Sequence, residues 1–392
     1  MASFNRIMEE VRDVTGTAKD RLTRLQAHIK AAGEASFAPL PPKKIHENLR
    51  QETYDLIRQR GSLEQQGANT EDLKILTKQI RNSRRQEKRR SQLEATRHDL
   101  DLRDRWLGIR QLKSDFKPAP YSLKDQDGKV VPKYKRAETA AKYLAEKHWC
   151  NPDATNGAHI PAHQIWPPNP KLEQGEVTLE DVHRAVKKLK RRKASGPDEI
   201  PTEFFLALHA DNMRELATIF SSWITTGEPI SEILARVILI FKKGDATLPE
   251  NHRPISLLNT VYKIFAKIIH FRVSEAVGDK IQQMQFGFRT KRSTQYAVHL
   301  VRRLMDIGEA TQLPVALVLL GWEKAFDKIE HGALFKALQR MGITGNVFAA
   351  IKKIYASPKF FVDIEGTLSD QYRQSTGIRQ GCPLSPTYSL SQ

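Results

Sequence analysis

Only two cysteines, Cys150 and Cys382, occur in 392 residues. That is too few for a disulfide framework or for a cysteine-based zinc site, so a reducing compartment is the default expectation. No stretch approaches the ~18 consecutive apolar residues that a spanning helix needs. Met1 to Asp20 mixes acids and bases without an apolar core, so no signal peptide is expected. The reading is an intracellular chain, cytoplasmic or nuclear, with no membrane partner. No internal repeat is found. Acidic residues are the scarce charge: 45 Asp and Glu stand against 63 Lys and Arg, a formal net charge of +18. A chain this basic repels itself unless it meets an anionic partner. Nucleic acid leads, because phosphate neutralisation and counterion release reward clustered cations.

What is present divides into three stretches. Residues 1–150 read as a basic, mostly helical extension, residues 151–177 as a proline-containing linker, and residues 178–392 as the main domain. Hydrophobic residues make up 40% of the chain, enough for a sizeable core. From Glu71 to Arg110 proline is absent and charge is dense, and Arg81, Arg84, Arg85, Lys88, Arg89 and Arg90 follow helical spacing, so most share one face. Alone, such a run reads as a solvated face; the overall charge surplus makes nucleic-acid contact an equal alternative. Arg136 to Trp149 reads as an Ala-rich helix. Thr178 opens a capping-box-like start, with Leu179, Val182, Val186 and Leu189 as an apolar stripe. Lys187, Lys188, Lys190, Arg191, Arg192 and Lys193 are expected on the opposite side of that helix. Helices are expected over Glu203–Trp223 and Leu257–Val273. Val237–Phe241 reads as a short strand. Val315–Leu320 reads as a strand buried on both faces. Phe360, Val362 and Ile364 mark the buried face of a half-exposed strand that Gly366 ends. Helices around a few mostly antiparallel strands make the class α+β.

Four groups of residues carry the chemistry. They are Ala194–Pro201 (ASGPDEIP); Ile238–Asp245 (ILIFKKGD) with Asn251–Leu258 (NHRPISLL); Gln285–Arg289 (QFGFR) with Ser293-Thr294; and Trp322–Asp327 (WEKAFD) with Gly377–Pro386 (GIRQGCPLSP). In this order and spacing they resemble the successive fingers and palm motifs of non-LTR (LINE-like) retrotransposon reverse transcriptases, over roughly the C-terminal half. The resemblance implies a right-hand polymerase, with fingers and an incomplete palm preceded by the basic extension. It implies an RNA template, a DNA primer and Mg²⁺ as the family's partners and cofactor.

The resemblance also implies roles for named residues. Lys243, or Lys242 beside it, and Arg253 would meet the triphosphate, Arg253 through bidentate contact. By itself Lys242 reads equally as a surface charge beside a turn. Phe326 would lie under the sugar and exclude a ribose 2′-hydroxyl; without the motif it reads as an ordinary core phenylalanine. Gln380 and Gly381 would form the loop that nears the incoming nucleotide and template base. Arg84, Arg85, Lys88, Arg89 and Arg90, with Lys190, Arg191 and Arg192, are the candidates for nucleic-acid contact.

The pattern departs from the family at the metal ligands. The first palm aspartate is replaced by Gly321, which has no ligand atom, and Asp327 is expected to point elsewhere. Glu323 could substitute only with a distorted backbone. The family's aromatic-Ala-Asp-Asp motif does not follow Pro386 in the residues to Gln392. The expectation is therefore a polymerase domain by descent, with no intact catalytic set and no specific Mg²⁺ site in this chain. Two alternatives stand beside it: a non-catalytic nucleic-acid-binding remnant, and a truncated open reading frame without function.

Overall fold

The computed structural model describes residues 16–37, 50–65, 70–94, 123–150 and 166–385, short internal gaps aside, with a few isolated positions elsewhere. The chain forms two compact units. One comprises Met1–Phe37 together with Ala119–Gln392, and the other Ala38–Pro118. The division expected at residue 150 falls elsewhere, because both ends of the presumed extension contribute to the larger unit.

In that unit, α1 (Ala18–Ser36) begins with a capping box in which Thr17 and Asp20 satisfy each other's backbone N–H groups. Its buried stripe of Leu22, Leu25, Ile29 and Ala32 faces the core. Arg21 grips Glu215 with two hydrogen bonds of 2.7 and 2.6 Å. In the smaller unit, α2 (Gln51–Gln65) pairs with α3 (Thr70–Glu94). The link is polar. Buried Glu87 accepts from the Arg50 amide at 2.6 Å and from the Thr53 hydroxyl at 2.7 Å.

The rest of the larger unit runs α4 (Arg136–Tyr143), α5 (Leu179–Lys187), α6 (Thr202–Leu206), α7 (Ala210–Thr225), β1 (Ala235–Phe241), β2 (His252–Leu257), α8 (Thr260–Val277), α9 (Thr294–Thr311), α10 (His331–Arg340), α11 (Gly345–Ala356), β3 (Lys359–Ile364), β4 (Thr367–Leu368) and β5 (Tyr372–Arg373). The sheet order is β2-β1-β3-β4, with β5 also on β3. The β1–β3 pair is parallel and the other pairs are antiparallel. The class is α+β, as expected. Phe220, Trp223 and Phe265 meet at centroid distances of 5.1 to 5.5 Å and centre the helical layer. In β3, Phe360, Val362 and Ile364 point inward while the alternate residues are less buried, as the sequence alternation requires.

Five expectations are corrected. Val315–Leu320 is not a buried strand: Val318, Leu319 and Leu320 are 77, 85 and 82% exposed, and among the described residues no strand pairs with the run. An apolar run becomes a buried strand only when neighbours cover it, and both edges of β1 are taken by β2 and β3. The helix opened by Thr178 has the capping box with Asp181, but it stops at Lys187, so Lys190–Lys193 occupy a loop. Continuing it would stack like charges three and four residues apart. The helix from Arg136 changes to a π-turn over Leu144–His148 before reaching Trp149. The helix expected over Glu203–Trp223 is two, α6 and α7, broken at Ala207–His209. Residues 166–177, read as linker, send Leu172 and Val177 into the core. Among the described residues no helix is long and apolar enough to cross a membrane.

Three histidines are held neutral by the fold. Burial lowers the pKa of His252, of His270 and of His331, outweighing the backbone carbonyls that act on His252 and His331. The unfolded chain therefore binds protons first as pH falls through the ordinary histidine value of about 6.5. Stability from these groups is complete above that value and declines below it. Thermal unfolding followed from about pH 7.5 to about pH 5.5 should show a falling midpoint; a flat or rising midpoint contradicts this.

Candidate polymerase-like site

The hairpin of β1 and β2 carries the first pair of expected site residues. Its register places Ile240 opposite Arg253 and Phe241 opposite His252, and the Lys242 amide closes on the Asn251 carbonyl at 2.9 Å. The turn is braced from inside. The Asp245 carboxylate accepts from the amide and hydroxyl of Thr247, both at 2.8 Å, and Asn251 donates to the Asp245 carbonyl at 2.9 Å. Those hydrogen bonds lower the Asp245 pKa. Lys242, Lys243 and Arg253 are all exposed on this braced hairpin.

The distant motifs converge on the same hairpin. The Asp198 amide donates to the Asn259 side chain at 3.1 Å, which seats the 194–201 motif at the start of α8. The Ser256 amide of β2 donates to the Gln380 carbonyl at 2.9 Å. Gly381 lies against β2 so closely that a Cβ would sit 2.5 Å from the Ser256 carbonyl oxygen, and its φ of +130° also favours glycine. Gly377 is the second such position, where a Cβ would meet the Asp327 carbonyl oxygen at 2.6 Å. The Ile378 amide donates to the Phe326 carbonyl at 2.8 Å. The Phe326 ring stands edge-on to Phe288 of the 285–289 motif, with centroids 6.0 Å apart. Arg253, Phe326, Gln380 and Gly381 thus belong to one connected neighbourhood, and Arg253 lies about 10 Å along β2 from the Ser256 contact.

At its centre is Asp327, 6% exposed. Gln380 donates its side-chain amide to both carboxylate oxygens, at 3.0 and 3.1 Å. The Trp149 indole N–H points at one oxygen at 3.4 Å, and His148 Nε2 lies 3.4 Å from the other. Trp149 is itself fixed: its carbonyl accepts from the Thr376 amide at 3.0 Å, and its ring meets Phe360 edge-on at 4.7 Å. Sequence reasoning kept Asp327 away from the metal position but did not foresee its partners. His148 and Trp149 lie outside every motif used. The available signal was a tryptophan ending an Ala-rich helix, since a buried indole N–H needs an acceptor.

Arg379, between Ile378 and Gln380, is 1% exposed. Its guanidinium donates to the Ile233 carbonyl and, at 3.3 Å, to the Lys359 carbonyl. Tyr262 and Cys382 contact each other at 3.1 Å beside it. Burial lowers the Arg379 pKa, raises that of Cys382, and holds Tyr262 well above the ordinary phenol range.

Gly321 stands at an exposed position where an added Cβ would meet nothing within 4 Å. No packing demands glycine there. Glu323 lies outside the described residues. Among the described residues no three His, Cys, Asp or Glu side chains are grouped as a metal site. Of the basic candidates, Arg84, Arg85, Arg89 and Arg90 are exposed on α3, with Lys88 on the same helix, while Lys190, Arg191 and Arg192 are exposed in the loop after α5.

Removing the Asp327 carboxylate should strand the Gln380 side-chain amide and the Trp149 indole N–H, at roughly 1–3 kcal/mol for each one left unpaired. Asp327→Ala is therefore expected to unfold at markedly lower denaturant than the parent, and Trp149→Phe, which deletes one donor and keeps most of the ring, at intermediate denaturant. An Asp327→Ala chain within about 0.5 kcal/mol of the parent contradicts this network.

Comparison with known proteins agrees with this convergence of motifs. Residues 240–390 match the family described as reverse transcriptase (RNA-dependent DNA polymerase). A "Transposon TX1 uncharacterized 149 kDa protein" of Xenopus laevis is 35% identical over 221 residues, 55% of this chain and 17% of that protein. The "RNA-directed DNA polymerase from mobile element jockey" of Drosophila funebris is 32% identical over 225 residues, 56% of this chain and 24% of that protein. The "Retrovirus-related Pol polyprotein from type-1 retrotransposable element R2" of Nasonia vitripennis is 24% identical over 197 residues, 50% of this chain and 19% of that protein. The chain thus spans about a quarter or less of the length of these relatives. Residues 240–390 thus match the reverse transcriptase family, and about half of the chain is similar to proteins of non-LTR retrotransposons.

Proposed function

We propose that residues 178–392 are the fingers and part of the palm of an RNA-directed DNA polymerase, and that this chain binds nucleic acid without extending a primer. Lys243 and Arg253 meet the triphosphate, Phe326 lies under the sugar, and Gln380 and Gly381 line the nucleotide side of the palm. The reading rests on one observation above the others: Arg253, Phe326, Gln380 and Gly381, scattered over about 130 residues of sequence, are joined through β2, Asp327 and the 376–381 loop.

Magnesium is the family's cofactor, and the residues present do not fit it. A hard divalent cation needs several oxygen ligands in fixed positions. Gly321 supplies none, and the Asp327 carboxylate is already occupied by Gln380 and Trp149.

The activity half of the proposal is tested in a chimera in which residues 178–385 replace the matching segment of the jockey polymerase. That chimera should not extend a primer on an RNA template, and Gly321→Asp within it should restore extension, because nothing near Gly321 obstructs a side chain. In the restored chimera Phe326→Ala should relax discrimination against ribonucleotides. Extension by the unaltered chimera would show that Gly321 does not matter. The binding half is tested on the chain itself. Exposed Arg84, Arg85, Arg89 and Arg90 on α3 support sequence-independent RNA and DNA binding that falls steeply with salt. Replacing all four with Ala should weaken binding and flatten its salt dependence by about 3 in log–log slope. Salt-independent binding, or a slope unchanged by the four substitutions, rules this out.

A further inference from the structure

Phe326 is half-buried, and its main chain is fixed. Its carbonyl accepts from the Ile378 amide at 2.8 Å, and the next residue, Asp327, is buried. The ring is held differently. Among the described residues its aromatic neighbour is Phe288, which stands edge-on at 86° with centroids 6.0 Å apart. Two rings favour this arrangement, since a positive edge meets a negative face. Phe288 comes from the segment between α8 and α9 and is 60% exposed, so core packing does not account for it. Its backbone is also unusual. The φ of Phe288 is +58°, in the left-handed region that a bulky residue rarely adopts. Such a conformation persists where the surroundings fix it, and here they do. The Arg289 guanidinium folds back to donate to the Gln282 carbonyl at 2.8 Å and to the Gly278 carbonyl at 3.5 Å. The Gln285 amide donates to the same Gln282 carbonyl at 3.0 Å, and the Arg292 amide to the Arg289 carbonyl at 3.2 Å. Arg292 also lies over the Phe286 ring, 5.9 Å from its centroid. The segment is closed on itself with the Phe288 ring turned onto Phe326.

A ring that excludes a 2′-hydroxyl by contact does so only while it cannot turn aside. If the ring retreats, the clash is relieved and ribose is admitted. A half-buried phenylalanine has a solvent side, and a group standing on that side decides whether it can move. We infer that Phe288 is a positioning residue for Phe326: it backs the ring and thereby sets how strongly the site distinguishes deoxyribose from ribose. Phe288 need not touch the nucleotide, because it acts through Phe326. The strained backbone at Phe288 is then a means of aiming an exposed ring at a fixed point, which a relaxed loop would not do. The inference rests on the placement of Phe326 under the sugar proposed above and adds Phe288 to it.

The test is equilibrium nucleotide binding by the full chain in the presence of a DNA primer annealed to an RNA template whose next base is uracil. The probe is dATP carrying a dye on its base, and unlabelled dATP and ATP compete with it. The readout is the ratio of the two competition constants. The parent should favour dATP by on the order of 10- to 100-fold. Phe326→Ala should bring the ratio close to one, and Phe288→Ala should bring it most of the way. The double variant should go no further than Phe326→Ala, because two residues that act as a unit are not additive. Phe288→Tyr keeps the ring and should keep the parent ratio. Phe288→Gly suits the positive φ but removes the ring. It should match Phe288→Ala in the ratio while unfolding at no lower temperature than the parent, which separates the ring from the fold. If Phe326→Ala loses discrimination while Phe288→Ala and Phe288→Gly keep the parent ratio, the role of Phe288 is overturned and the placement of Phe326 stands. Independent, additive effects of the two Ala substitutions overturn it equally. A parent chain that binds no nucleotide, or binds dATP and ATP alike, overturns both.

Discussion

The Asp327 carboxylate is where three remote parts of the chain are joined. Gln380 arrives from the loop after β5, Trp149 and His148 arrive from the end of the π-turn, and the aspartate itself closes the turn after Phe326. A buried carboxylate is tolerated only when donors satisfy it, so this constraint fixes its neighbours in turn. With Gln380 held, its carbonyl faces the Ser256 amide, and Gly381 can lie on β2. With Trp149 held, its carbonyl meets Thr376 and its ring covers Phe360 of β3. The hairpin that carries Lys243 and Arg253 is thereby tied to the loop that carries Gln380.

A second buried group supports the same loop from below. Arg379 spans the carbonyls of Ile233, just before β1, and Lys359, at the start of β3. It links the two strands that run parallel in the sheet to the segment between Gly377 and Gly381. His331 adds a contact from α10, its Nε2 standing 3.0 Å from the Gly377 carbonyl. The loop is thus held by side chains from helix, strand and turn, and its two close-approach glycines have little freedom to move. Such over-determination is what a site needs to keep its groups in register.

Local patterns were legible in the sequence where local physics decides them. The capping box at Thr178, the alternation in β3 and the helix now seen as α8 are all set by spacing within a few residues, and the structure agrees. The convergence of Arg253, Phe326, Gln380 and Gly381 was legible only through the family resemblance, because no spacing rule reaches over such separations. What was misread depended on partners. Val315–Leu320 carries the composition of a buried strand, but burial belongs to the neighbours of a strand and not to the run itself. The lysines after Lys187 follow helical spacing on paper, while their mutual repulsion and the loop contact at Arg192 take them off the helix. Trp149 had no motif to announce it, and its importance comes from an acceptor 178 positions away.

The central claim is that Asp327 is an anchor for the Gln380 loop and not part of a metal site. The most direct measurement is the NMR signal of the Trp149 indole N–H, assigned by its loss in Trp149→Phe and recorded while Mn²⁺ is added. Paramagnetic broadening falls off steeply with distance, so an ion on Asp327 would erase this signal at low occupancy. The account requires that the Trp149 signal survive additions that broaden surface resonances, and that it shift in Asp327→Asn. Selective loss of the Trp149 signal at sub-stoichiometric Mn²⁺ would contradict it.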